Sequence, residues 1–271
     1  MTEPLGSPEY SEAGRGSPLC CIPGMEGAWQ FWEPQLEALS ANYRVIACSL
    51  PRFPFDPRLR MDDYAREVLR LLDLLSVERA VFVGESFGGM VCQCIALEHP
   101  QRVEALVLCN TMPAPQRGGL GINAFTLATM LHSLAFLPGL GEVNRRAILE
   151  YVGRHRGFVL DPSPGNGRLC DYLMEHGPAH GAKEYLNRAI AAARTDYRER
   201  LERISVPTLV LRGSEDRLVT ADTALYFLAK IPRSSLALVE GGGHCCTYTM
   251  PDAANRAILR WLEGLGGSGR G

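Results

Sequence analysis

Apolar positions along this chain alternate between two patterns. Compact runs of β-branched and apolar residues, too short for helices, fall at 18–22, 43–50, 79–83, 103–109, 206–211 and 235–240, and such runs read as buried strands. Between them lie stretches whose apolar residues recur at three or four. One spans 28–40, with Trp29, Trp32, Leu36 and Leu39 on one side. Another spans 61–75, where Asp62 and Asp63 suit the positive end of a helix. Further helices are predicted after residue 86 up to His99-Pro100, and over 220–230 and 251–262. Residues 10–16 read as a short edge strand with a turn. Strands alternating with helices predict an α/β domain: a doubly wound, mostly parallel sheet covered on both faces.

From 110 to 205 the alternation stops. Helical stretches at 123–134, 143–152, 168–175 and 183–203 are joined by Pro/Gly-rich segments such as 161–167, and no run there reads as a strand. The expected organisation is a core formed by 1–112 and 204–265, a helical cap inserted at 113–203, and a flexible tail at 266–271. An insertion at the C-terminal end of a strand lies over the edge of the sheet where ligands bind. Phe125 and Met130 are its candidate pocket residues.

The stretch Gly84-Glu85-Ser86-Phe87-Gly88 separates the run at 79–83 from a long apolar helix. This is a G-x-S-x-G turn in the context of strand, turn and helix. A serine in so sharp a turn needs neighbours without Cβ atoms two positions away on each side. The turn pushes the hydroxyl out of the sheet edge and sets the Phe87 N–H beside the place where an oxyanion would form. Ser86 is thus the candidate nucleophile, with Glu85 a candidate pocket residue. The loop Pro23-Gly24-Met25-Glu26-Gly27 follows another central strand. It offers the Met25 N–H as a second oxyanion donor, with Gly24 and Glu26 beside it.

Composition narrows the class. The 271 residues are 46% hydrophobic and 21% charged, enough for one large domain with a substantial core. A formal charge of −2 gives no footprint for nucleic acid. No run approaches the ~20 apolar residues of a membrane span. The N-terminal stretch lacks a basic-then-apolar leader, so a cytoplasmic protein is expected. The nine cysteines include no C-x-x-C pair and read as small buried hydrophobes rather than disulfides or metal ligands. No metal and no cofactor are expected, because a serine mechanism needs none and the glycines at 84–89 lack the Lys-Ser/Thr of a phosphate loop.

A serine hydroxyl is a poor nucleophile until an imidazole accepts its proton and a carboxylate fixes that imidazole. After the last strand comes His244, and after the strand before it Glu215 and Asp216, so either carboxylate is available as the acid. His132, His155, His176 and His180 fall in the inserted region and read as surface or polar-packing residues. Because the free enzyme would need a neutral imidazole, kcat/KM is expected to rise with pH through an apparent pKa on the order of 6 to 7.5 and then plateau.

Over nearly all its length the chain resembles the α/β-hydrolase superfamily. The resemblance is carried by Pro23-Gly24-Met25-Glu26-Gly27, Gly84-Glu85-Ser86-Phe87-Gly88-Gly89-Met90, the segment 207–216 and Gly243-His244. It implies a Ser86–His244–Asp216 triad, since the turn Gly213-x-x-Asp216 matches and Glu215 does not, with Met25 and Phe87 as oxyanion donors. Gly88-Gly89-Met90-Val91, His99-Pro100-Gln101-Arg102-Val103 and Leu106-Val107-Leu108-Cys109-Asn110-Thr111 are similar to the 3-oxoadipate enol-lactonase group, and more weakly to maspardin-like proteins. Two loops depart from the family pattern. Pro23-Gly24 stands where His-Gly is usual, and Ser49-Leu50-Pro51-Arg52-Phe53-Pro54 replaces Asp-x-Arg-Gly-x-Gly-x-Ser. The function implied is hydrolysis of a small-molecule carboxylic ester or lactone through an acyl-enzyme. Alternatives are C–C or thioester cleavage by the same residues, or a non-catalytic binding protein on this scaffold.

Overall fold

The computed structural model describes residues 3–115, 139, 141–156 and 166–267. Among them seven strands form one sheet: β1 (Tyr10–Ala13), β2 (Pro18–Ile22), β3 (Arg44–Cys48), β4 (Ala80–Glu85), β5 (Val103–Cys109), β6 (Thr208–Gly213) and β7 (Ser234–Val239). The spatial order is β1-β3-β2-β4-β5-β6-β7. Only β1 runs antiparallel, against β3. The doubly wound, mostly parallel sheet read from the sequence is therefore present. The central strands are buried on both faces, which is why they read as continuous apolar runs rather than alternating ones.

Helices α1 (Glu33–Leu39), α2 (Met61–Leu74), α3 (Phe87–Glu98), α4 (Glu142–Arg156), α5 (Asn166–Ala193), α6 (Ala221–Lys230), α7 (Cys246–Thr249) and α8 (Pro251–Gly267) complete the described chain. The α2 N-terminus is held as its sequence suggests, the Asp63 carboxylate accepting the Arg60 N–H at 2.8 Å. Helix α3 is buried from Phe87 to Leu97 and has no polar face to show. All nine cysteines are buried, and none is in a disulfide. None of the helices described is long and apolar enough to cross a membrane.

Several elements differ from their sequence reading, among them α8, which runs to Gly267, past the predicted 262 and into the expected tail at 266–271. The stretches 168–175 and 183–203 were expected as separate helices, but α5 is continuous through Gly177 and Pro178 and stops at Ala193. Burial of Leu169, Tyr172, Leu173, Tyr185, Arg188 and Ala189 along it outweighs the local cost of glycine and proline. It ends where the Asp196 carboxylate takes the Arg198 N–H at 3.1 Å and starts a 3-10 turn over Arg198–Arg203. The expected helix at 123–134 lies outside the described residues.

Strand β4 also runs two residues beyond the predicted 79–83, because Gly84 and Glu85 still pair with Leu108 and Cys109. From β2 the chain goes by way of α1 to β3 on one side, and from β4 by way of α3 to β5 on the other. The carboxyl ends of β2 and β4 thus flank a switch point, where an open α/β sheet forms its binding crevice. The glycines of the turn are what let α3 fold back so closely. A Cβ on Gly84 would stand 2.5 Å from the Gly88 carbonyl oxygen, and one on Gly88 would overlap the Ile22 carbonyl oxygen.

Gly88→Ala is therefore expected to lower stability by about 3 kcal/mol or more. Gly264→Ala, on a helix with nothing near its added methyl, is expected to raise it by about 0.5–1 kcal/mol. Urea unfolding of both variants checks this; a Gly88→Ala midpoint equal to wild type would show that the turn tolerates a side chain.

Candidate active site

Ser86 joins β4 to α3 with φ 51° and ψ −112°, a conformation side chains other than glycine rarely adopt. Its backbone is pinned on two sides. The Ser86 N–H donates to the Cys109 carbonyl at 2.9 Å, and the Thr111 hydroxyl donates to the Ser86 carbonyl at 2.6 Å. The side chain is left at the crevice with 9% of the residue exposed.

His244 follows β7 and brings Nε2 to 2.9 Å from Ser86 Oγ. Its Nδ1 lies 3.0 Å from Asp216 Oδ2. Asp216 follows β6 and its other oxygen, Oδ1, accepts the N–H groups of Leu218 and Val219 at 2.8 and 2.9 Å. Three donors fix this carboxylate, whereas Glu215 is exposed. The turn that carries Asp216 is held from behind by Arg212, whose guanidinium donates to the carbonyls of Val219 and Asp216 at 2.8 Å each. Asn110, at φ 43°, joins the ends of β5 and β6 by accepting the Gly213 N–H at 2.9 Å.

Met25 lies in the loop after β2 and Phe87, next to the serine in sequence, opens α3. Among the described residues neither N–H donates a backbone hydrogen bond, as the first turn of a helix leaves its donors free. The Met25 loop lacks the histidine usual at position 23, and a residue remote in sequence braces it instead. Arg188 of α5 is fully buried and donates from Nη1 to the Met25 carbonyl at 2.6 Å. Gly27, at φ 81°, makes room for it, since a Cβ there would lie 2.5 Å from that same nitrogen. The neighbouring Asn187 ties down the second atypical loop: its amide oxygen accepts the Asp56 N–H at 3.0 Å and its amide nitrogen donates to the Pro54 carbonyl at 3.0 Å.

The remaining candidate pocket residues separate. Gly24 and Glu26 adjoin Ser86: a Cβ on Gly24 would be 3.1 Å from Glu26 Oε2 and 3.6 Å from Ser86 Cβ. Glu85 is 1% exposed, and its carboxylate accepts the Thr247 hydroxyl at 2.7 Å. Phe125, Met130 and His132 lie outside the described residues. The sequence reading gave no role in the site to Arg188, Asn187, Thr111, Thr247 or Arg212.

Electrostatics follow from burial. Burial opposes protonation of His244, but the Asp216 carboxylate beside Nδ1, with smaller contributions from Glu85 and Glu26, outweighs it and raises the imidazole to about 9. That lies above the 6 to 7.5 expected for the pH dependence of kcat/KM. Burial likewise pushes Glu85 up to about 8, against the pull of His244 and the Thr247 hydrogen bond.

Comparison with known proteins follows the same lines. Residues 17–249 match the family model described as alpha/beta hydrolase fold. The chain is 32% identical over 246 residues, 88% of each chain, to "Putative carbamate hydrolase RutD" of Serratia proteamaculans. It is similar to the crystal structure of a hydrolase from Pseudomonas aeruginosa, with 26% identity, a TM-score of 0.74 and 93% of each chain covered. The enol-lactonase of Burkholderia xenovorans shares the fold at 20% identity, with a TM-score of 0.76 over 94% of this chain and 96% of that one.

Because Glu85 ordinarily titrates near 4.5 and is raised to about 8 in the fold, the native state holds a proton there that the unfolded chain has released. Stability should therefore fall as pH rises from 4.5 to 8, by up to about 1.4 kcal/mol per pH unit from this group. His244 adds a loss of the same sign between 6.5 and about 9. Urea midpoints measured from pH 4.5 to 9 should show a shallower decline for Glu85→Gln than for wild type. Parallel curves would mean that Glu85 is ionised without penalty.

Proposed function

Since the chain belongs to the α/β-hydrolase family, we propose that it is a serine hydrolase cleaving a carboxylic ester or lactone through an acyl-enzyme. The observation that carries this reading is the unbroken hydrogen-bond chain from Ser86 to His244 at 2.9 Å and from His244 to Asp216 at 3.0 Å. In the proposed reaction neutral His244 takes the Ser86 proton at Nε2 as Oγ bonds to the substrate carbonyl carbon. The carbonyl oxygen becomes an oxyanion received by the N–H groups of Met25 and Phe87. His244 then returns the proton to the leaving oxygen as the C–O bond breaks. Water then bonds to the acyl carbon as it loses a proton to the same nitrogen, and His244 passes that proton to Ser86 Oγ as the C–Oγ bond breaks, releasing the acid. Asp216 holds Nδ1–H and stabilises the imidazolium in both halves.

The segment 113–203 is proposed as a cap. Its α5 reaches the catalytic loops through Asn187 and Arg188, which supports a role in shaping the acyl site. A second reading, carbamate hydrolysis, is favoured by the relative of that printed name. It uses the same nucleophile on a carbonyl flanked by nitrogen. Thioester or C–C cleavage would use it as well, so substrate choice rests on the pocket around Ser86.

A fluorophosphonate probe should label Ser86, and Ser86→Ala should abolish labelling. His244→Ala should lower kcat on an activated ester such as p-nitrophenyl acetate by ~10³-fold or more. Folded protein that takes no label at high probe concentration would favour a binding protein on a hydrolase scaffold. An adduct on Ser49 or Ser214 would reassign the nucleophile.

The pH profile gives a separate test. The reaction needs neutral His244, whose proton is held to about 9, so kcat/KM should climb with pH through an apparent midpoint displaced upward from 6.5 toward that value. Glu85→Gln, which removes one of the carboxylates raising His244, should move the midpoint down. A profile flat from pH 5 to 10, with chemistry rate-limiting, would exclude histidine as the base.

A further inference from the structure

Glu26 is an unusual residue for its position. It sits in the loop that offers the Met25 N–H, it is 9% exposed, and its carboxylate makes no hydrogen bond or ion pair with any described residue. Its direction is set by the clearance at Gly24. An atom placed just off that Cα would lie 3.1 Å from Glu26 Oε2 and 3.6 Å from Ser86 Cβ, so the carboxylate and the serine face one small space that the missing side chain keeps open. The charge of Glu26 reaches His244 and the buried Arg188, but neither donates a hydrogen bond to its carboxylate.

A bare carboxylate beside a forming oxyanion is unfavourable, because the like charges repel in a site with little water. Burying it without a donor is costly as well. Both penalties fall if the substrate brings an N–H to that space, most of all a cationic one. Resting on the serine-hydrolase reading above, we propose that Glu26 is a specificity-determining residue that takes an amine N–H carried on the acyl half of the substrate, within two bonds of the reacting carbonyl. The preferred substrates are then aminoacyl-type esters rather than hydrocarbon ones. Carboxylate-bearing acyl groups are disfavoured by the same charge.

The test uses an isosteric pair, phenyl glycinate and phenyl propionate, which differ by an ammonium in place of a methyl group. For each ester kcat/KM is measured near pH 7 and divided by its hydroxide-catalysed rate, so that intrinsic reactivity cancels. Wild type should favour the glycinate by about 10-fold or more, and Glu26→Gln should bring the ratio down about 10-fold, whatever happens to both rates together. Glu26→Asp, which keeps the charge, should retain part of the preference. If wild type shows a ratio near or below one while turning over both esters, or if Glu26→Gln leaves the ratio unchanged, the assignment of Glu26 is overturned and the hydrolase reading stands. If neither ester is turned over and Ser86 takes no fluorophosphonate, the serine-hydrolase reading itself is overturned.

Discussion

The backbone of Ser86 is the constraint on which the site depends. At φ 51° it holds a conformation that costs an ordinary residue on the order of 1–3 kcal/mol, and the structure around it leaves no other choice. The serine is gripped by β5 through Cys109 and by Thr111, while Gly88 packs directly on the end of β2. The strain is useful because it turns a residue that would otherwise point into the sheet out toward the crevice. Strands β2, β4 and β5 must all be in register for this to happen, so the position of one hydroxyl reports on the assembly of the whole central sheet.

Around that hydroxyl the charges are lopsided. One imidazole lies in the field of three carboxylates, those of Asp216, Glu85 and Glu26, and only Asp216 is held by a full set of donors. The electrostatics of the site therefore have two parts. Asp216 is fixed beside Nδ1 by its own donors, whereas burial lets Glu85 exchange its charge for a proton as pH changes. Arg188 is a buried cation on the α5 side of this group, and burial opposes its own charge.

Much of the fold was legible in the chain because its signals are local. Buried parallel strands are short apolar runs, the turn at Ser86 is marked by its two glycines, and the order of serine, acid and histidine follows the order of the strands. Even the choice of Asp216 over Glu215 has a local cause, since one faces the turn's own N–H groups and the other faces water. What escaped sequence reasoning is non-local. Arg188 meets Met25 across 163 positions and Thr247 meets Glu85 across 162, and no periodicity or turn signal marks such pairs. The continuity of α5 through Gly177 and Pro178 was hidden for a related reason: local propensity argues for a break, and only the buried contacts on either side argue against it.

Two consecutive residues of α5 hold the two loops whose sequences depart from the family pattern, Asn187 the one after β3 and Arg188 the one after β2. Through these two side chains α5 is a structural part of the candidate site as well as a neighbour of it. Its sequence cannot drift freely in search of new substrates, because each change must leave this pair of side chains in place. Grafting another insertion onto the sheet would exchange the selectivity of the pocket and the support of its loops in a single step.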